Sequence, residues 1–313
     1  MTLAIDPALL RPDAVSEETR AFNAEFEATM KDLPKTHEVP VELTRQARDE
    51  GRGVFPPGGP LEGSDWHEMP SGRRVRISRP EGAPRAVYLH IHGGGWTLGR
   101  PSHYDRQNQA RAKATGAVVV SVEYRLAPEH PFPSGPDDCL AAAEWALDEW
   151  PDLPFAIGGE SAGAHLAAVT LLRLREAGRL DRFRGAVLNY GCFDLRMTAS
   201  AANWGERQLV LSTPTMRFFA SCFVPEAAKL GTPEVSPLLA DLTDMPPALF
   251  QIGTADPLLD DSLLMAARWA GAGNGAELAV HPGGIHAFDM FDRLSIARDF
   301  TSRETGFLNR VFG

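Results

Sequence analysis

The chain is short of the residues that staple small secreted folds or hold metal clusters. Its 313 residues include three cysteines, Cys139, Cys192 and Cys222, none in CxxC spacing with another. That excludes a disulfide framework and a thiolate zinc site, and predicts reduced thiols in the core. Long apolar runs are missing as well: the longest, around 117–122, is about a third of a membrane span. The N-terminus, MTLAIDPALLRPD, has no basic region and is broken by Asp6 before an apolar stretch can form, so it does not read as a secretory signal. The expectation is a cytoplasmic protein with no membrane span. Positive charge is in deficit, with 31 basic against 41 acidic side chains and a net charge of −10. Such a chain offers no basic counter-surface to a phosphate backbone, which argues against a nucleic-acid partner, and it mildly disfavours anionic small molecules in favour of neutral ones. Of the basic residues 27 are Arg, a bias that reads as coding preference rather than as a binding surface.

What is present is an ordinary globular composition, 43% apolar and 23% charged, which rules out a disordered or fibrous chain. The length alone allows one domain or two. Short β-branched runs bounded by Gly and Pro recur at 86–91, 117–123, 155–159, 185–190, 248–252 and 277–281, and read as buried strands. Helical patterns fall between them at 136–150, 161–177 and 260–271, with a terminal one at 295–312. This alternation predicts an α/β fold with a mostly parallel, doubly wound sheet. A hairpin at 66–69 and 74–78 would add antiparallel strands at its start. Two stretches break the alternation. Residues 1–60 carry an amphipathic helix at 17–31 (Phe22, Phe26, Met30), a second helix near 41–50 and a Pro/Gly-rich linker at 55–60. The 56 residues 191–246 far exceed what a crossover needs, and an excess of that kind builds a lid.

The chemistry lies where strands end. Gly159-Glu160-Ser161-Ala162-Gly163 is a GxSxG motif directly after a predicted strand and at the start of a predicted helix. Small residues on both sides permit a sharp turn that leaves the serine Oγ projecting. His92-Gly93-Gly94-Gly95-Trp96 follows another strand, and its glycines let backbone N–H groups approach an oxygen that becomes charged in a transition state. Neither GxGxxG nor a Walker pattern is present, so a phosphate loop is disfavoured. His92 reads as a brace for this loop rather than as a base. A serine nucleophile needs a base, and the base an orienting carboxylate. In the order serine, acid, histidine, Asp256 stands past the strand at 248–252 and His286 past the strand at 277–281. Asp256 read alone is equally a helix N-cap, a role open to Asp260 or Asp261. His165, four residues after Ser161, reads as buried and structural, and His281 as the reserve base. Glu129 and His130 read as loop-fixing residues. Trp96 and Phe288 flank the presumed pocket as substrate contacts or as packing.

HGGGW, YRLAPEHPFP (124–133), GESAGAHLA, DPLLDD and GGIHAF together resemble the hormone-sensitive-lipase-like, or family IV, carboxylesterases of the α/β-hydrolase superfamily, over about residues 70–310. The resemblance implies Ser161 as nucleophile, His286 as base, Asp256 as orienting acid, and the amides of Gly94, Gly95 and Ala162 as oxyanion hole. It also implies a helical cap from about 1–50 and 193–235 over a single catalytic core at about 60–192 and 236–313. Glu160 stands where the family commonly has Asp. The expected activity is hydrolysis of small-molecule esters with short-to-medium acyl chains through an acyl-enzyme, with no metal or organic cofactor. A homodimer is plausible by analogy. Two rivals share the scaffold: a non-catalytic small-molecule receptor, against which His286 speaks because such receptors have lost the histidine, and an amide or acyl-peptide hydrolase.

Overall fold

The computed structural model describes residues 3–313. Its centre is one sheet of β1 (Ser64–Glu68), β2 (Arg74–Ser78), β3 (Ala86–Ile91), β4 (Ala117–Val122), β5 (Phe155–Glu160), β6 (Phe183–Asn189), β7 (Ala248–Ala255) and β8 (Ala276–Ile285), in the order β1-β2-β4-β3-β5-β6-β7-β8. The β1–β2 hairpin is antiparallel and joins β4 antiparallel; every pairing from β4 through β8 is parallel. The expected α/β-hydrolase architecture is therefore present. Strand order reverses at β3, which lies between β4 and β5. The crevice beyond the carboxyl ends of β3 and β5 is where an open α/β sheet binds ligands.

The helices are α1 (Glu17–Lys31), α2 (Val41–Asp49), α3 (Asp105–Thr115), α4 (Ser134–Glu149), α5 (Ala162–Glu176), α6 (Ala199–Asn203), α7 (Thr213–Phe223), α8 (Leu259–Gly271) and α9 (Ser295–Phe312). α4, α5 and α8 cover one face of the sheet, α3 and α9 the other. Strand residues alternate between the two cores, as the pleat requires: Val87, Leu89 and Ile91 face α4 and α5, whereas Ala86 and Tyr88 face Phe307 and Leu308 of α9. Ser16 caps α1 by accepting from the Thr19 N–H. The helix buries Phe22, Phe26 and Met30, and Phe22 and Phe26 pack on the Phe291 ring at 4.9 and 5.6 Å.

Two departures from the sequence expectations have clear causes. α3 has no predicted counterpart because its buried face is polar: Asp105, Asn108, Arg111 and Thr115 recur at helical spacing, and a search for apolar periodicity passes over them. β8 runs on to Ile285 instead of stopping at His281. Pro282, Gly283 and Gly284 read as breakers, yet β8 is the edge strand, where a missing N–H costs no ladder bond. β7 likewise continues to Ala255, so Asp256 and His286 each follow directly upon a strand end.

α3 is anchored by a buried ion pair. Asp105 accepts from Arg76 Nε at 2.7 Å and Nη2 at 2.6 Å, and from the Leu61 N–H at 2.8 Å. Asp105→Ala leaves the Arg76 guanidinium buried without a counter-charge, and is expected to cost about 3–5 kcal/mol. Urea unfolding measures it; a loss below about 1 kcal/mol shows the pair to be dispensable.

Candidate active site

The turn from β5 into α5 holds Ser161 at φ 57°, ψ −119°, a conformation that costs a non-glycine residue of order 1–3 kcal/mol and persists only where the surroundings impose it. Here they do. A Cβ at Gly163 would lie 1.9 Å from the Ile91 carbonyl oxygen, and one at Gly159 would lie 2.1 Å from the same atom. The turn thus sits directly on the end of β3, and only glycine at those two places lets it close. The Ser161 N–H donates to the Asn189 carbonyl at 2.9 Å, which ties the turn to β6.

The loop after β3 is held from both sides. The His92 ring lies 4.2 Å from that of Tyr124 in a stack, and the Tyr124 hydroxyl donates to the His92 carbonyl at 3.0 Å. The Gly93 N–H donates to the Tyr104 hydroxyl at 3.2 Å. Gly94 turns with φ +128°, where a Cβ would meet the Leu98 carbonyl at 2.2 Å. Among the described residues the N–H groups of Gly94, Gly95 and Ala162 donate no hydrogen bond within the protein. Ala162 opens α5, so its N–H also lies at the positive end of a helix dipole. His92 is buried, and burial keeps its pKa well below the ordinary value: it is a neutral brace.

The ends of β7 and β8 bring Asp256 and His286 to Ser161. His286 Nδ1 lies 2.8 Å from Asp256 Oδ2, and His286 Nε2 lies 2.9 Å from Ser161 Oγ. A carboxylate beside Nδ1 assigns the proton to that nitrogen and leaves Nε2 free to accept from the serine hydroxyl. The other oxygen of Asp256 accepts the Leu258 N–H at 2.9 Å, an arrangement that fixes its rotamer. Tyr190 packs edge-on to the imidazole at 5.0 Å and donates its hydroxyl to Asp289 at 2.7 Å.

Beneath the turn runs a buried polar layer that the sequence did not announce. Ser121, His90, Glu160, Asn189, Gln251 and His281 occupy adjacent strands on the α3/α9 face. Their contacts link up: His90 Nδ1 to Ser121 Oγ at 2.7 Å, His90 Nε2 to Glu160 Oε2 at 2.9 Å, Gln251 Nε2 to Asn189 Oδ1 at 3.3 Å, and His281 Nε2 to Gln251 Oε1 at 3.2 Å. α3 and α9 insert Arg111 and Glu304, paired at 2.6 Å, with Arg111 3.6 Å from Glu160. Burial pushes the Glu160 carboxyl up to about 8 against the pull of Arg111, and keeps His90 neutral. Asn108 Oδ1 accepts from Arg111, so its Nδ2 donates to His90 Nδ1 at 3.2 Å, and the His90 Nε2–H in turn donates to Glu160 Oε2. With His90 neutral, this contact is a hydrogen bond and not an ion pair.

An apolar cavity of about 610 Å³ opens above Ser161. Both unplaced stretches line it: Met30, Leu43 and Ala47 from the N-terminal segment, Met216, Phe219 and Ala220 from the insertion. A Cβ at Gly95 would strike the Phe219 ring at 2.4 Å, so α7 lies directly over the glycine loop. The two segments also hold each other, through His37 Nδ1 and Thr215 Oγ1 at 3.0 Å, Lys35–Glu206 at 2.8 Å and Arg207–Glu27 at 2.8 Å.

The remaining sequence candidates sort cleanly. Trp96 lines the cavity, stacks on Phe223 at 4.7 Å and donates its indole N–H to His165 Nδ1 at 3.1 Å. His165 is buried, with Nε2 donating to the Val235 carbonyl at 2.8 Å. Phe288 is corrected: it does not line the cavity but is fully buried between His281 and Phe300, because the 3-10 turn after His286 rotates it under the loop. His281 sits inside β8, packed with these rings away from Ser161. Glu129 pairs with Arg45 of α2 at 2.7 Å. Tyr104, Tyr190 and Arg48, which also line the cavity, lie outside any motif and were not found from the sequence.

A serine on a strained strand-to-helix turn, at the switch point of a parallel sheet and hydrogen-bonded to a histidine, defines a hydrolase of the α/β class. Residues 88–290 match the family model described as alpha/beta hydrolase fold. The chain is 33% identical over 216 residues to carboxylesterase NlhH of Mycobacterium tuberculosis, covering 66% of this chain and 67% of that one. It is 30% identical over 234 residues to an ethyl acetate hydrolase of Pseudomonas putida, covering 72% of each. Among solved structures it superposes on an esterase of the archaeon Pyrobaculum calidifontis with TM-score 0.84 and 28% identity, over 95% of this chain and 98% of that one. A hormone-sensitive lipase from a metagenome library gives TM-score 0.84 and 28% identity over 94% and 98%. The chain belongs to the hormone-sensitive-lipase-like carboxylesterases, and is an enzyme, a serine ester hydrolase. Among its described residues no helix is long and apolar enough to cross a membrane.

The raised pKa of Glu160 has a sign that stability measurements read. The folded protein keeps the carboxyl protonated up to about 8, whereas an unfolded chain ionises it near the ordinary 4.5. Stability from this group is therefore complete below 4.5 and is lost as the pH rises through 8. Glu160→Gln, which cannot ionise, is expected to gain stability relative to the parent between about pH 5 and about pH 8.5 in urea unfolding. An equal difference at both pH values refutes the assignment.

Proposed function

We propose that Ser161, His286 and Asp256 form the catalytic triad of a two-step ester hydrolysis. Ser161 Oγ attacks the ester carbonyl while its proton passes to His286 Nε2. The carbonyl oxygen, now an oxyanion, is held by the amides of Gly94, Gly95 and Ala162. The tetrahedral species collapses, the alkoxide leaves with the proton from His286, and the acyl group stays on Ser161. Water then attacks the acyl-enzyme, with His286 again as base, and the acid is released. Asp256 keeps the Nδ1–H tautomer and stabilises the imidazolium formed in each step. All the groups this sequence needs come from the chain itself.

The observation that carries the reading is the unbroken hydrogen-bonded chain from Asp256 through His286 to Ser161, at 2.8 and 2.9 Å, opening on unengaged amides. The segments 1–50 and 193–235 act as the cap: they line the cavity and set the acyl-chain limit. Its volume of about 610 Å³ suits short-to-medium acyl chains. The receptor reading needs a scaffold without the histidine, and His286 is here within reach of the serine.

Ser161→Ala is expected to lower ester turnover by about five to six orders of magnitude and to abolish labelling by a fluorophosphonate, with the fold retained; turnover at parent rates refutes the triad. Asp256→Asn is expected to cost about 10⁴ in kcat. With 4-nitrophenyl esters, kcat/KM is expected to peak within roughly two to eight acyl carbons. An optimum beyond about ten carbons overturns the cap assignment, and matched anilides cleaved as fast as esters point instead to an amide hydrolase.

A further inference from the structure

The charged side chains lining the catalytic cavity are nearly all spoken for. Asp49 pairs with Arg100 at 2.6 Å and His103 at 2.9 Å, Asp194 with Arg196 at 2.7 Å, and Glu50 with Arg52. Glu160 bonds to His90, and Asp261 accepts the Phe193 and Asp194 N–H groups and the Thr198 hydroxyl. Arg48 is the exception. This half-buried residue of α2 lines the cavity, and among the described residues it has no carboxylate partner.

Its position is informative. The guanidinium carbon lies 5.8 Å from the centre of the Phe55 ring and 6.0 Å from that of Tyr104, and the Tyr104 hydroxyl accepts the Gly93 N–H at 3.2 Å. Arg48 is therefore linked to the first residue of the glycine loop through the Tyr104 side chain. Its field reaches the surrounding groups: it adds to the burial that holds His92 and His103 below their ordinary pKa, and opposes the burial that raises Tyr104. The cavity lining also includes the apolar Met30, Val54, Leu98 and Met216.

Energetics separate two roles for such a cation. As packing alone, a guanidinium over two rings, bonded to the Tyr104 hydroxyl, leaves its remaining N–H edges to be solvated by water in the cavity. A neutral apolar substrate expels that water and leaves the charge desolvated and unpaired, which opposes binding. A substrate carrying a carboxylate replaces the water with a charge-assisted, bidentate pair. The local cation thus reverses, inside the cavity, the preference for neutral substrates that the net charge of −10 implies.

We propose that this site takes esters bearing a second, free carboxylate, bound by Arg48, and that monoesters of dicarboxylic acids are hydrolysed in preference to their neutral diesters. The inference rests on the esterase reading above, with Ser161 as the attacking group. The ester C–O bond is cleaved by water to give the dicarboxylic acid and the alcohol, while the carboxylate at Arg48 stays unreacted.

The test compares monomethyl adipate with dimethyl adipate in a pH-stat for the parent enzyme, Arg48→Met and Arg48→Lys. The expected result is a fall of about tenfold or more in the monoester-to-diester ratio of kcat/KM for Arg48→Met, carried by KM, with partial recovery in Arg48→Lys. Added salt is expected to lower the parent ratio and to leave that of Arg48→Met unmoved. A ratio that changes less than about twofold on removal of the charge overturns the proposal. Should the parent cleave neither ester, turnover of a 4-nitrophenyl ester shows separately whether the esterase reading stands. Calorimetry then decides the binding claim: monomethyl adipate binding to Ser161→Ala and to the Ser161→Ala, Arg48→Met double variant with equal affinity refutes it, and weaker binding to the double variant upholds it.

Discussion

The seating of the Ser161 turn on the carbonyl of Ile91 is the constraint from which the site follows. Because Gly159 and Gly163 both lie against that one oxygen, β5 and the first turn of α5 approach the end of β3 more closely than any side chain allows. That approach forces Ser161 into its strained conformation. It also sets the glycine loop, which leaves β3 one residue later, beside the start of α5. The parallel sheet completes the arrangement. With β6, β7 and β8 laid in order beyond β5, the loops after β7 and β8 deliver a carboxylate and an imidazole at the same end.

Such a strained turn needs support from below, and the polar layer supplies it. An apolar layer at this depth would pack as well, but it would leave Glu160 without a partner directly beneath Ser161. In place of that, His90 donates its Nε2–H to the carboxyl, and Arg111 is balanced by Glu304 from α9. A fully satisfied network of this kind is rigid and specific, because each member removed leaves a buried group unpaired. Glu160 therefore links the sheet interior to the serine that follows it.

Above the serine the logic reverses: the cavity is largely apolar, its carboxylates are ion-paired or hydrogen-bonded within the protein, and among the described residues Arg48 is its arginine without a carboxylate partner. The two segments that break the α/β alternation meet there, tied to each other by ion pairs at their rims and to the core by α1. Asn23 of α1 donates to the Gly283 carbonyl at 2.8 Å, three residues before His286, so the helix over the cavity also steadies the loop that bears His286.

The alternation of strands and helices, the hairpin, the serine turn, the glycine loop, and Asp256 and His286 were all legible from residue order, because each rests on local requirements: apolar runs of strand length, glycine where the backbone must pass closely, and an acid and a histidine after strand ends. α3 was not, since its buried residues are polar and pair only with partners far away in sequence. The run of β8 through Pro282 was hidden because only the sheet order makes it an edge. Whether Phe288 contacts substrate or only packs was open in the sequence, because an adjacent aromatic points into a cavity or beneath it according to a single turn, and the structure buries it. The polar layer and the unpaired Arg48 belong to the same class. Whether a buried charge has a partner is a property of distances between strands and helices remote in the chain, and only the tertiary structure decides those distances.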